Sequence, residues 1–159
     1  MYSTQITNNE VNETIINFIS KILNSHRTTN IYQLEIEEYD DFTKNQILKY
    51  LSKNEEEKIF LNDQFNFKQN AVSWDAENYK KQLNIEFIPK SQILQKRDTH
   101  FRFSKPIITL DRDLLIIKVT YQNNFGESNL KGSECVELFR KNELNIWENF
   151  THLFAMSLD

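Results

Sequence analysis

Both glycines of the chain, Gly126 and Gly132, fall in one decapeptide, FGESNLKGSE (residues 125–134), with Lys131 between them and Ser133 just after. Glycine, lysine and hydroxyl side chains close together are the materials of a phosphate-cradling loop. Such a loop requires G-x-x-x-x-G-K-[ST] between a strand and a helix. Here the glycine spacing is one residue too long, and Lys131 precedes the second glycine instead of following it. The next residues, SECVELFRK, carry strand-forming side chains and no helix cap. The dinucleotide pattern G-x-G-x-x-G is also absent. The stretch therefore reads as a connection between strands, where glycine gives a hairpin its backbone freedom.

The remaining reactive side chains are dispersed. His26, His100, His152 and Cys135 stand singly, with no H-x-x-x-H, C-x-x-C or H-E-x-x-H spacing, so no metal site is expected. Cys135 lies beside Val136 in a strand-like run and reads as a buried thiol acting as a small apolar residue. A nucleophilic role would require a histidine beside it, and His152 on a neighbouring strand is the candidate. Trp74 and Trp147 are expected in the core. Asp75 and Glu148, each next to a tryptophan, would be the pocket carboxylates if burial raised their pKa. No catalytic residue and no cofactor follows from these patterns.

The densest charge cluster is EIEEYDD, comprising Glu35, Glu37, Glu38, Asp40 and Asp41. As a functional surface it would dock a basic partner protein, since complementary fields speed association. As plain structure it is a solvated turn before a helix, with Asp40 and Asp41 favoured near the helix N-terminus. Glu55–Glu57 reads as a solvated loop.

The elements that must hold these residues come from a chain sized for one domain, residues 1–159. A 39% hydrophobic fraction that includes 12 Phe and 6 Tyr can fill a core, which argues against intrinsic disorder. The formal charge of −4 and the absence of any basic run longer than Lys96–Arg97 argue against nucleic acid as a partner. One cysteine excludes an intrachain disulfide. MYSTQITNNE has no signal-peptide pattern, and the longest apolar run, Leu114–Ile117, is too short to span a bilayer. A cytoplasmic location without membrane contact is expected.

Two helix starts use one device. In ITNNEV, Thr7 and Glu10 have capping-box spacing, with Ile6 and Val11 as a hydrophobic staple. In FTKNQI, Thr43 with Gln46 and Phe42 with Ile47 repeat it. The first helix is predicted over Asn8–Asn24, with Val11, Ile15, Phe18, Ile19, Ile22 and Leu23 on one face. The second is predicted over Lys44–Lys53. Between them Tyr32, Leu34 and Ile36 alternate with polar residues, as in a half-buried strand. KIFL and QFNF suggest short strands, and WDAENYKKQL a helix. KSQILQKR after Pro89 suggests another helix, with Ser91 as cap.

From residue 101 onward, FRFSKPIITL, LLIIKVTYQ, ECVELFRK and LNIWENFTHLF are four strand-like runs joined by short links. Such a series favours an antiparallel meander. Leu114–Ile117, apolar on both faces, predicts a central strand. Pro106, which lacks an N–H, predicts an edge or a bulge. Asp111, Arg112 and Asp113 would shape a turn. Helices first and a sheet second give an α+β class: N-terminal helices packed on a C-terminal antiparallel meander of about four strands.

FSKPIITLDRDLLIIKVTYQ, GESNLKGSECVELFRK and NELNIWENF together resemble a broad family of small uncharacterised bacterial proteins. Members of that family share F-S-[RK]-x-x-F, an apolar strand, a Gly/Ser-rich loop and a short N-G-x-W hairpin. The resemblance covers about residues 101–150, and IPKSQILQK matches a preceding helix loosely. This chain has fewer glycines in the loop, and Leu144 stands where relatives usually have glycine. The resemblance implies an antiparallel sheet packed on helices and no catalytic residues.

The resulting expectation is a non-enzymatic, acidic protein-binding domain, with a cognate inhibitor or immunity-type protein for a toxic enzyme as its concrete form. The alternative is a small-molecule-binding or enzymatic pocket of the nuclear-transport-factor-like type. Its mark would be an enclosed cavity with convergent acid–base groups. Oligomeric state is left open by the sequence.

Overall fold

A computed structural model describes residues 6–24, 31–66, 73–93, 100–124 and 130–158. Helix α1 spans Asn8–Asn24. Its capping box forms as the sequence predicts. The Thr7 amide donates to Glu10 Oε2 at 3.0 Å, and the Glu10 amide donates to Thr7 Oγ1 at 3.1 Å. Ile6 and Val11 join the same apolar cluster, so the staple forms as well.

Helix α2 spans Asp41–Leu51 and starts three residues before the sequence expectation. Asp40, not Thr43, is the cap: its Oδ1 accepts from the Thr43 amide at 2.7 Å. Thr43 then falls on the inner face of the helix, fully buried, and is unavailable as a cap. Phe42 stays 51% exposed instead of closing a staple.

Residues 55–66 hold the largest correction. KIFL and the start of QFNF belong to helix α3 (Glu55–Asn66), not to strands, and Glu55–Glu57 form its first turn. The Glu57 amide donates to the side chain of Asn54 at 2.9 Å. Glu57, Phe60, Leu61 and Gln64 are buried with helical spacing. Two of the four are polar, which hides the face from a count of apolar residues. Helix α4 spans Ala76–Gln82, capped by Asp75. Helix α5 covers Lys90–Ile93, so Ser91 lies inside it and is not its cap.

The strands are β1 (Ile31–Gln33), β2 (Glu86–Ile88), β3 (His100–Phe103), β4 (Ile107–Ile108), β5 (Leu115–Asn124), β6 (Leu130–Lys141) and β7 (Trp147–Leu158). They form one mixed sheet in the order β2-β1-β3-β5-β6-β7, with β4 also paired to β5. The antiparallel β5–β6–β7 meander is the predicted C-terminal sheet. The short parallel strands β1 and β2 extend it beyond β3. β5 is central, as Leu114–Ile117 implied. Pro106 falls in the break between β3 and β4, where no ladder bond is demanded of it.

Alternation along β5 divides the core in two. Leu115, Ile117 and Val119 enter a cluster with Ile15 and Ile19 of α1, Tyr79 of α4, and the rings of Tyr32, Phe101 and Phe103. Ile116 enters the other, with Ile47 of α2, Leu61 of α3, Val136 and Leu138. Helices therefore cover both faces. The outer edge of β4 is met by α3 side chains. Gln64 donates to Ile108 O at 2.7 Å and accepts from its amide at 2.9 Å, and Glu57 Oε2 accepts from the Leu110 amide at 2.7 Å. Burial, only partly offset by that amide, raises the pKa of Glu57.

The glycine stretch joins β5 to β6, with Asn124 paired to Leu130. Residues 125–129, including Gly126, lie outside the described residues. Gly132 sits inside β6 rather than in the turn, opposite Gln122. A Cβ there would lie 2.1 Å from the carbonyl oxygen of Tyr121. Glycine is required for close backbone approach. Gly132→Ala is therefore expected to cost about 1–3 kcal/mol through overpacking against a backbone atom that cannot yield. Urea unfolding would measure it, and an unchanged midpoint would contradict the close approach.

Candidate functional site

The acidic segment lies across the break between β3 and β4. The Glu37 amide donates to Phe103 O at 2.9 Å, fixing the segment to the end of β3. The Tyr39 hydroxyl lies 2.7 Å from Lys105 O and 3.2 Å from Ile116 O, two carbonyls left beside the break. The Lys118 amide donates to Ser104 Oγ at 2.7 Å. The gap opened by Pro106 is thus closed by side chains.

Below the segment, Lys118 of β5 points to the α2 side of the sheet with its side chain only 4% exposed. Its Nζ is 2.9 Å from Glu134 Oε1, 3.2 Å from Asp40 Oδ2 and 3.9 Å from Glu37 Oε1. Arg102 Nε lies 3.5 Å from Glu37 Oε2, and Thr43 Oγ1 lies 3.5 Å from Glu134 Oε1. Two cations therefore face three carboxylates around a buried centre. Burial alone would lower the Lys118 pKa, but Glu134 and then Asp40 outweigh it, and the net shift is upward. The upward shift favours the charged form of the amine. Burial works to raise the Asp40 pKa, while the Thr43 hydrogen bonds and Lys118 lower it further, so its net shift is downward.

The five acidic residues singled out from the sequence therefore separate. Glu37 binds Lys118 and the partly buried Arg102, and Asp40 binds Lys118 through one oxygen while its side chain stays 53% exposed. Glu35 Oε2 accepts from the Lys90 amide at 2.8 Å, tying the segment to α5. Glu38 and Asp41 are exposed to solvent. Next to Asp41, the half-exposed Phe42 ring stands edge-on to Phe154 of β7, with centroids 5.8 Å apart. Lys118 and Glu134 carried no signal in the sequence as functional residues. A lysine in the apolar run LLIIKVT was the one available clue, because a charge in a central strand has to be matched.

The other candidates do not converge. His26 lies outside the described residues. His100 is buried at the start of β3, while His152 is exposed opposite Glu137. Cys135 pairs with Ala155, not His152, and its Sγ donates to Glu137 Oε1 at 3.1 Å. Burial, and then Glu137, push the thiol pKa up, away from thiolate chemistry. Among the described residues, no group of three or more His, Cys, Asp or Glu is placed to hold a metal ion. Trp74 and Trp147 are buried, but Asp75 is an exposed cap and Glu148 is exposed. Asp111 and Asp113 both bind Lys53, and Arg112, at φ 59°, reaches Glu10.

One groove of about 280 Å³ opens between α1 and the β6–β7 hairpin over Phe18, Phe139 and Trp147. Two of its amides are already committed: Asn142 donates to Glu148, and Asn149 to Glu137. No helix among the described residues is long and apolar enough to cross a membrane. No family model, curated protein or solved structure matches the chain.

The Lys118 network predicts a stability plateau bounded on both sides. Stability contributed by Asp40, whose pKa is lowered, is present above its ordinary value and is lost as pH falls through the native value. That of Lys118, whose pKa is raised, is present below its ordinary value of about 10.4 and is lost as pH rises through the native one. Lys118→Met should cost about 3 kcal/mol at neutral pH, because the buried Glu134 loses its counter-charge, and should abolish the alkaline limb. Adding Glu134→Leu should restore part of the loss. Denaturant midpoints across pH would show both effects, and equal midpoints for wild type and Lys118→Met would contradict the network.

Proposed function

We propose that this chain is a non-enzymatic protein-binding domain that offers an acidic, aromatic patch to a basic partner. The observation that carries the reading is the division of labour within Glu35–Asp41. Glu35, Glu37 and Asp40 hold the segment down, so Glu38 and Asp41, together with the half-exposed Asp40 and with Phe42, are presented from a backbone that is already fixed. An interface anchored by an aromatic residue and rimmed by charge gains affinity from such preorganisation. A cognate inhibitor of a basic toxic enzyme is the concrete form we favour. The sequence resemblance over residues 101–150 adds an expected fold to this reading and no activity.

The alternative is a nuclear-transport-factor-like pocket, for which the groove beside α1 is one candidate place. Both faces of the central strands are filled by side chains from the helices. The groove is open to solvent, and its Asn142 and Asn149 amides are already engaged. The acidic patch is the better supported site.

Native purification of the tagged chain from its source cells tests the reading. The expected result is a stoichiometric protein partner whose binding weakens as salt rises and falls at least tenfold in Glu38→Lys/Asp41→Lys. Recovery of the chain without a stoichiometric partner would count against it. So would a partner indifferent to those substitutions.

A further inference from the structure

The polar groups around the groove between α1 and the β6–β7 hairpin are unequally matched. On the hairpin wall the acceptors are used. Asn142 Oδ1 accepts from the Leu144 and Ile146 amides at 2.9 and 3.1 Å, and Glu148 Oε2 accepts from Asn142 at 3.2 Å. On the other wall, Thr14, Asn17, Phe18 and Lys21 share one face of α1. The Thr14 hydroxyl donates to Glu10 O at 2.7 Å. Among the described residues, the exposed side chains of Asn17 and Lys21 have no polar partner. A third unmatched group is buried. Trp147 lines the groove, is only 5% exposed, and its indole N–H meets no acceptor. A sealed donor without an acceptor is costly and uncommon.

We propose that this groove binds a small aromatic carboxylate, its ring against Phe18, Phe139 and Trp147 and its oxygens toward the free donors of Lys21, Asn17 and Trp147. The donor balance selects this occupant. Each unmatched group can donate, so the ligand must accept, and the Lys21 ammonium favours an anionic acceptor over a neutral one. Lys141 adds a second cation beside the floor, with Nζ 5.3 Å from the Trp147 ring centroid and 3.8 Å from Glu10. Glu148 is the opposing charge, but it lies on the hairpin wall, exposed to solvent, where screening weakens its repulsion. Phe18 and Phe139, with centroids 5.3 Å apart, leave a floor that favours a ring over a chain through offset and edge contacts. A volume of about 280 Å³ lies just below the range of drug-sized sites, which suits a one-ring molecule. The inference is independent of the acidic-patch reading, since Glu38, Asp41 and Phe42 do not line the groove.

Phenylacetate is the probe, and the indole N–H signal of Trp147 in a nitrogen–proton correlation spectrum of the full chain reads its arrival. The expected result is a saturable downfield shift with a Kd on the order of 0.1–1 mM. Phenylacetamide, which keeps the ring and loses the charge, should bind about threefold more weakly or worse, and phenethylamine should leave the signal in place. Lys21→Gln should weaken phenylacetate by about the same factor, with unchanged circular dichroism and unfolding midpoint. Lys49→Gln, which removes the same charge from α2 outside the groove, should leave the affinity unchanged. A Trp147 signal unmoved at tenfold higher phenylacetate would overturn the proposal. Equal affinity for phenylacetamide, an unchanged affinity in Lys21→Gln, or equal weakening by both lysine variants would overturn it too. None of these results bears on the partner expected at Glu38 and Asp41.

Discussion

An ammonium group sealed from water has to be met by counter-charge within hydrogen-bond reach, and Lys118 imposes that condition on three separate parts of the chain. Glu134 comes from the neighbouring strand β6, while Asp40 and Glu37 come from the segment that leads into α2. Asp40 serves twice, capping α2 through the Thr43 amide and binding Lys118. The start of α2 and the position of the acidic segment are therefore fixed by one buried charge. Such a network need not add net stability over an apolar core of the same shape, because desolvating the ions offsets much of their attraction. Its consequence is specificity: a shifted α2 would leave an unmatched charge inside the sheet.

The same accounting explains the break between β3 and β4. A strand interrupted at Pro106 leaves backbone groups that no neighbouring strand reaches, and buried backbone groups are costly when unpaired. Tyr39, Ser104, Gln64 and Glu57 take them up, from both sides of the gap. Gln64 and Glu57 lie seven residues apart on α3, two turns along one face, and so stand in for a strand beside Ile108 and Leu110. Polar residues thus form the seam between α3 and the sheet, with Leu61 and Phe65 packed around them.

This use of polar side chains also sets what the sequence could disclose. Helix α1 was legible because its cap and apolar face are both local signals, and the β5–β7 meander because runs such as LLIIKVT are apolar at consecutive positions. Helix α3 was not, since Glu57 and Gln64 occupy the positions where a helix face would normally show apolar residues. The parallel pairing of β1 with β2 joins Tyr32 to Phe87, far apart in the chain and without a local signature. For the candidate site, the cluster Glu35–Asp41 was visible as charge. Which of its members face inward depends on Lys118 and Glu134, roughly eighty to a hundred residues further on. A pattern read along the chain contains no term for such a partner.

With Glu37, Asp40 and Glu35 satisfied internally, what the acidic segment offers outward lies around the start of α2. Attraction through Glu38 and Asp41 is Coulombic and is screened by salt within about 10 Å at moderate ionic strength. The Phe42 ring, braced edge-on by Phe154, contributes apolar contact that salt leaves nearly unchanged. The salt dependence of binding therefore separates what the carboxylates contribute from what the ring contributes.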